Sequence, residues 1–214
     1  MSTKLKDEFQ TKSPETRLYQ TPIPIIGISG GIATGKSSFT QVLEQKQFPI
    51  ICADQIVKTI YQEEASLKFV QDHFPQAIES SKINFRVLRG LVFNNQKNKD
   101  TIENYIFSHF ERVFKDKLNS FSHPEFVFYD APLLYEKDLH KLVDTDICVY
   151  ADRKTQIQRL MARDSIDQNL AEKILQAQLD IEDKKKLAKH LITNMTSLEE
   201  LEKQTKEIIH KILI

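Results

Sequence analysis

At 214 residues, with 40% hydrophobic and 28% charged side chains, the chain is long enough for one sizeable core plus a small inserted subdomain, and its composition excludes disorder and a membrane-spanning class. Thirty basic residues balance thirty acidic ones, so no global field draws the chain to nucleic acid or to an anionic membrane, and an anionic ligand must be held by a local site. Without a run of signal-peptide or membrane length, a cytoplasmic protein with no obligate protein partner is expected.

Residues 1–22 are polar, lack periodicity and end in Thr21-Pro22, which predicts a mobile leader. From Ile23 onward, short apolar runs alternate with helical patterns. Strands are predicted over residues 23–28, 49–52, 126–129, 147–150 and 190–192, and helices over 36–45, 66–73, 85–94, 99–121, 154–163, 169–179 and 198–214. This is the rhythm of a mostly parallel sheet covered by helices. Ser197 followed by Glu200 has capping-box spacing, with Leu198, Leu201 and Thr205 continuing one face of the last helix. About 60 residues of mainly helical pattern separate strands two and three, far more than a crossover needs. The expected organisation is a single domain over 23–214: a core of 23–58, 123–152 and 188–214, a helical acceptor-binding insertion at 59–122, and a lid at 153–187.

Gly30, Gly35, Lys36 and Ser37 satisfy G-x-x-x-x-G-K-[ST] between an apolar run and a helical pattern. Three of the chain's five glycines, Gly30, Gly31 and Gly35, lie in this loop. Glycine lets the backbone curl so that N–H groups converge on phosphate oxygens, and the following helix start adds its positive dipole end. Gly31, Ile32, Ala33, Thr34, Gly35, Lys36, Ser37 and Ser38 are the candidate ATP-binding residues. Lys36 is expected to reach the β- and γ-phosphates and Ser37 to ligate Mg²⁺. The fold class that follows is α/β, a P-loop NTPase with three α/β/α layers, a five-stranded mostly parallel sheet, an inserted helical subdomain and a helical lid.

A phosphate loop does not distinguish a kinase from a GTPase or a motor. In a doubly wound sheet ligands sit beyond the carboxyl ends of the strands, which singles out Asp54 after the second strand and Asp130 closing the third. Either carboxylate could orient an attacking hydroxyl, or hold metal-bound water, the role considered for Asp130. Arg159 and Arg163, at i and i+4, share a helix face and suit a lid closing on phosphate; the alternative is a solvated face with Arg163 paired to Asp164 or Asp167. The six histidines have no metal spacing, and only His109, deep in the insertion, is a candidate substrate contact. Phe85, Phe93, Phe107, Phe110 and Phe114 recur at helical spacings and are read as core. Cys52 and Cys148 sit in apolar stretches and read as reduced, buried thiols.

From Ile25 to the C-terminus the sequence resembles the dephospho-coenzyme A kinase family. The resemblance rests on residues 26–38 around the phosphate loop, Ala53-Asp54, residues 88–93, Pro132-Leu133-Leu134-Tyr135-Glu136, Thr155-Gln156 with Arg159 and Arg163-Asp164, Gln178, and Ile192-Thr193-Asn194. It implies transfer of the γ-phosphate of ATP to the ribose 3′-hydroxyl of dephospho-coenzyme A, with Asp54 as catalytic carboxylate, Arg159 and Arg163 as lid arginines, and the insertion gripping the acceptor. Asp54, Arg86, His109 and Leu133 are the candidate acceptor contacts. The chain departs from the family pattern at Cys52, Phe85, Phe110 and Lys189, with Arg86 one residue beyond a missing cation. Another P-loop kinase of a nucleoside, nucleotide or small metabolite, and a nucleotide-binding homologue with weakened turnover, are the alternatives; a GTP switch would require an Asn-Lys-x-Asp motif, which the sequence lacks where it is expected.

Overall fold

Residues 3–93 and 95–214 are described by a computed structural model. In chain order the elements are β1 (Ile25–Gly30), α1 (Lys36–Gln45), β2 (Ile50–Cys52), α2 (Ala53–Gln62), α3 (Glu64–His73), β3 (Ile78–Glu79), β4 (Lys82–Ile83), α4 (Phe85–Phe93) and α5 (Gln96–Asn119). There follow β5 (Val127–Asp130), β6 (Thr145–Tyr150), α6 (Arg153–Asp164), α7 (Gln168–Gln176), α8 (Ile181–Leu187), β7 (His190–Thr193) and α9 (Leu198–Ile212). The chain divides into two units, one running up to Cys52 and resuming at Phe121–Ile214, the other Ala53–Ser120. The division falls six residues before the expected start of the insertion, because the helix that follows β2, absent from the sequence-based pattern, belongs with the inserted helices.

In the first unit five strands form one sheet in the order β2-β5-β1-β6-β7, every pair parallel. All six residues of β1 and all six of β6 are buried, as expected for central strands covered on both faces. Ile26, Ile28, Phe128, Ile147, Val149 and Ile192 of the sheet pack with Phe39 and Leu43 of α1 and Leu201, Ile208 and Ile212 of α9. Burying each such side chain is worth roughly 1.5–3 kcal/mol. The register sets Ile28 opposite both Asp130 and Ile147, and Cys52 opposite Asp130, so the strands end together at one edge. Ser197 Oγ accepts the Glu200 N–H at 3.3 Å and starts α9. The buried face of α9 begins at Leu201 and includes Thr205, whereas Leu198 is 66% exposed: it occupies the first turn, before the helix reaches the sheet.

The expected mobile leader is corrected for its described part. Leu5 is fully buried and forms an antiparallel bridge with Leu213, with Lys4 N–H donating to Ile214 O at 2.9 Å and Lys6 N–H to Ile212 O at 2.9 Å. Arg17, 5% exposed, donates from Nε to Asp144 Oδ2 at 2.7 Å and from Nη2 to Asp144 Oδ1 at 3.1 Å. Asp144 Oδ2 also accepts the Ile25 N–H at 2.9 Å at the start of β1. Polar composition suggested a free segment; the buried Arg17–Asp144 ion pair and the buried Leu5 and Leu18 hold it, and none of these has a periodic signature.

In the second unit, α5 carries Ile102, Ile106, Phe110, Val113, Phe114 and Leu118 on its buried stripe and packs on α2 and α4. Asn95 caps it, its side chain accepting the Asn98 N–H at 3.1 Å. Of the five phenylalanines read as core, only Phe110 and Phe114 are buried; Phe85, Phe93 and Phe107 are 47%, 87% and 50% exposed. Phe107 sits about 100° around the helix from Ile106, off the stripe. The short β3–β4 hairpin, like α2 and α8, was absent from the sequence-based pattern.

Candidate active site

β1 leads directly into the glycine-rich loop, and α1 begins at Lys36. Gly35 has φ +88°, a left-handed conformation that favours glycine, and Ala33 also lies in that region at φ 60°. Gly35 is the N-cap and carries no capping side chain, so the first-turn N–H groups of α1 have no side-chain acceptor from their own cap. An uncapped helix start after a tight loop is a site for an anion.

Lys36 Nζ donates to Asp130 Oδ1, joining the loop to the carboxyl end of the adjacent β5; both side chains are largely buried. Ser37 opens the first turn beside it, its carbonyl accepting the Thr40 hydroxyl at 3.0 Å. Ser29 Oγ donates to Pro132 O at 3.2 Å and ties β1 to the segment that follows β5. In that segment Leu134 and Tyr135 are buried, whereas Leu133 is 41% exposed.

Three buried side chains contact the loop from behind. Lys184 Nζ donates to Gly30 O at 3.2 Å, Gln156 Nε2 to Ile32 O at 2.6 Å, and Asn194 Nδ2 to Thr34 O at 2.9 Å. Lys184 is fully buried, donates also to Pro132 O at 3.1 Å, and pairs with Glu136 Oε1 at 2.8 Å. Glu136 Oε1 in turn accepts the Leu179 N–H at 3.1 Å. Sequence reasoning missed Lys184: within Glu182-Asp183-Lys184-Lys185-Lys186 it reads as part of a solvated charge run. Gln156, Glu136 and Asn194 were visible only as parts of the family's motifs.

On α6, Arg159 and Arg163 have different surroundings. Arg159 Nη1 is buried without a protein partner and lies 4.0 Å from where a Cβ on Gly35 would stand. Arg163 is exposed and pairs with its neighbour Asp164, Nε to Oδ1 at 2.7 Å and Nη2 to Oδ2 at 2.9 Å, the contact of the solvated-face alternative. Asp152 caps α6 by accepting the Thr155 N–H at 2.7 Å, and that bond holds its carboxyl below the usual range. Tyr150 donates to Glu182, whose carboxylate pushes the phenol up to about 12. Cys148 is buried in β6, and loss of water pushes its thiol up to about 12, so it is an inert structural thiol. Cys52 is only partly buried, short of the burial expected of it.

In the second unit, Asp54 lies exposed in the first turn of α2, where an acidic side chain complements the helix dipole. Arg86 is exposed in the first turn of α4. His109 on α5 is partly buried: its Nδ1 bonds to Tyr105 O at 2.8 Å and its ring lies 4.4 Å from that of Tyr105.

The sequence profile of dephospho-CoA kinase matches residues 24–200. The chain belongs to the dephospho-CoA kinase family. It is 31% identical over 192 residues to the dephospho-CoA kinase of Fusobacterium nucleatum, a match covering 89% of this chain and 99% of that protein. It is 36% identical over 176 residues to that of Streptococcus pneumoniae, covering 79% and 87% of the two chains. Among solved structures, one from Thermus thermophilus has a TM-score of 0.79 at 26% identity, covering 88% of this chain and 97% of that one. The Campylobacter jejuni dephospho-CoA kinase has a TM-score of 0.65 at 25% identity, covering 87% and 96%. The chain is thus a P-loop kinase with a nucleotide-binding loop. No helix among the described residues is long and apolar enough to cross a membrane.

The departures from the family pattern have structural settings. Cys52 lies opposite Asp130 in the sheet. Phe85 packs edge-on against Tyr61, their ring centroids 5.1 Å apart. Phe110 belongs to the buried stripe of α5. Lys189 donates from Nζ to the main-chain Asp144 O at 2.8 Å and from its backbone N–H to the buried carboxylate of Asp146, Oδ2, at 3.2 Å, which ties it to the start of β6.

Proposed function

We propose that the chain transfers the γ-phosphoryl group of ATP to the ribose 3′-hydroxyl of dephospho-coenzyme A, giving coenzyme A and ADP. The observation that carries this reading is the match of residues 24–200 to the family together with an uncapped phosphate loop whose Lys36 is paired to the strand-end carboxylate Asp130. Residues 31–38 would bind the triphosphate, and Lys36 would meet its outer oxygens. Arg159 fits such an anion, because its buried Nη1 lacks a protein partner and faces the loop. Among the described residues no group of three or more His, Cys, Asp or Glu side chains could hold a metal by itself, so any Mg²⁺ would take most of its ligands from phosphate oxygens and water. Ser37 would supply one ligand, and Asp130 would act through water. A Mg²⁺ held by these residues would supply charge neutralisation for the phosphates.

Asp54 is the proposed general base, accepting the proton of the attacking hydroxyl. Arg163 is assigned to the closing lid; its pairing with Asp164 would have to exchange for phosphate contact. Arg86, His109 and Leu133 are proposed acceptor contacts, and the exposed faces of Phe85, Phe93 and Phe107 leave apolar surface in the inserted unit for the same task.

Purified protein with Mg-ATP and a panel of acceptors tests the proposal. Dephospho-coenzyme A should be phosphorylated far faster than nucleosides, nucleoside monophosphates or sugar acids. Equal turnover across the panel, or none, would overturn it.

A further inference from the structure

We infer that Gln156, Lys184 and Asn194 are positioning residues that fix the phosphate loop in its anion-receiving shape before nucleotide arrives. This rests on the loop being the ATP site, as proposed above, and goes beyond it by assigning work to three side chains that need not touch the nucleotide.

The constraint arises at the peptide bond. Each trans peptide is planar, with its C=O and the next residue's N–H pointing in opposite directions. Gly30 O, Ile32 O and Thr34 O are each held by a side-chain donor. The N–H groups of Gly31, Ala33 and Gly35 must therefore point the other way. Every second peptide of the loop is pinned, and turning any one of them over would strand a buried donor. The three side chains are 4%, 0% and 8% exposed for Gln156, Lys184 and Asn194, so water cannot readily replace the lost bond.

The donors come from three separate places: α6, α8 and the residue after β7. They stand so close that a Cβ on Gly31 would meet Gln156 Nε2 at 2.3 Å. Lys184 brings a positive charge under the loop, but Glu136 Oε1 at 2.8 Å offsets it, leaving orientation as its main contribution. Since Gln156 and Lys184 belong to α6 and α8, the same bonds tie both helices to the loop.

The test measures ATP affinity and kinetics in Gln156→Glu and Asn194→Asp, which keep size but set an acceptor oxygen against a carbonyl oxygen, and in Lys184→Met beside Lys184→Arg. Folding is checked by circular dichroism and thermal melting. Folded Gln156→Glu and Asn194→Asp should bind ATP about 10- to 100-fold more weakly, with KM for dephospho-coenzyme A within about twofold of the parent. Lys184→Arg should recover at least part of the ATP affinity lost in Lys184→Met, because a merely space-filling role would favour the apolar side chain. Should either carboxylate variant fail to fold, Gln156→Asn or Asn194→Ser, which shorten or withdraw the same donor, carries the measurement. ATP affinity within twofold of the parent in the folded variants, or an equal rise in acceptor KM, overturns the inference. A parent chain that does not bind Mg-ATP would instead sink the reading of the loop as an ATP site.

Discussion

Lys36, the first residue of α1, and Asp130 at the end of β5 form an ion pair between residues 94 positions apart in sequence. The pair holds the lysine along the strand ends and orders it before a triphosphate is bound. Lys36→Ala should lower kcat/KM by more than about 100-fold, the scale of losing one preorganised charge at a transferring phosphoryl group. Asp130→Asn should lower kcat by about 100-fold while leaving the melting temperature within a few degrees. Steady-state kinetics with calorimetry would check both; an active Lys36→Ala enzyme would contradict the loop assignment.

Asp54 is exposed, in the first turn of α2. As general base it should be dispensable for ATP binding and for folding. Asp54→Asn is expected to lower kcat by about 10³-fold with ATP affinity unchanged. Turnover equal to the parent would remove it from the mechanism.

The two arginines proposed for the lid should not be equivalent. Arg159 Nη1 is buried without a partner, whereas Arg163 already pairs with Asp164. Arg159→Ala should therefore weaken ATP binding at least about tenfold more than Arg163→Ala, whose loss should fall mainly on kcat. Isothermal titration of both variants decides between this ordering and its reverse.

The Arg17–Asp144 pair predicts a stability effect remote from the loop. Arg17→Met leaves Asp144 buried with its main counter-charge gone and should cost about 3–5 kcal/mol in urea denaturation. The double variant Arg17→Met/Asp144→Asn should recover part of that loss. If the single variant lost under about 1 kcal/mol, the segment would not be anchored by this pair.

His190 supplies a pH dependence. Burial, with Lys211 and Lys189 adding to it, lowers its pKa to about 4, and neither ring nitrogen has a hydrogen-bond partner. Because the folded value lies below the usual 6.5, protonation favours the unfolded chain. The stability owed to neutral His190 is full above about pH 6.5 and is lost as pH falls toward 4, by up to roughly 3 kcal/mol. His190→Phe should flatten the fall in melting temperature between pH 7 and 5; an unchanged slope would show that other groups set it.

Much of this was legible from sequence because it rests on local rules. The five sheet strands and α1 follow from apolar runs, and the loop from glycine spacing next to Lys36 and Ser37. What escaped was set by partners distant in the chain. Arg17 and Lys184 look like surface cations until Asp144 and Glu136 are brought to them, 127 and 48 positions away. Phe93 and Phe107 look like core until the packing of α4 and α5 selects which face is covered. α2 carries a helical signal that the sequence-based pattern passes over, Ile56, Val57, Ile60 and Tyr61 at i and i+4 with Ile56 and Ile60 buried, because its ten residues follow β2 without a break; the short α8 is marked mainly by Asp180, whose side chain accepts the Glu182 N–H at 2.9 Å.

Asn194 stands so close to Gly35 that a Cβ there would lie 1.9 Å from its Nδ2 and 3.2 Å from its Cγ. The two positions therefore constrain each other's history. While Asn194 is in place, no substitution of Gly35 can be accommodated without displacing it, and once Asn194 has been exchanged for a smaller residue, φ +88° still penalises any side chain at Gly35. A lineage could change Asn194 first and survive with a slacker loop, but the reverse order passes through a chain in which the loop itself is distorted. Variation at these two sites should consequently be ordered, with replacements of Gly35 found only on backgrounds that have already lost Asn194.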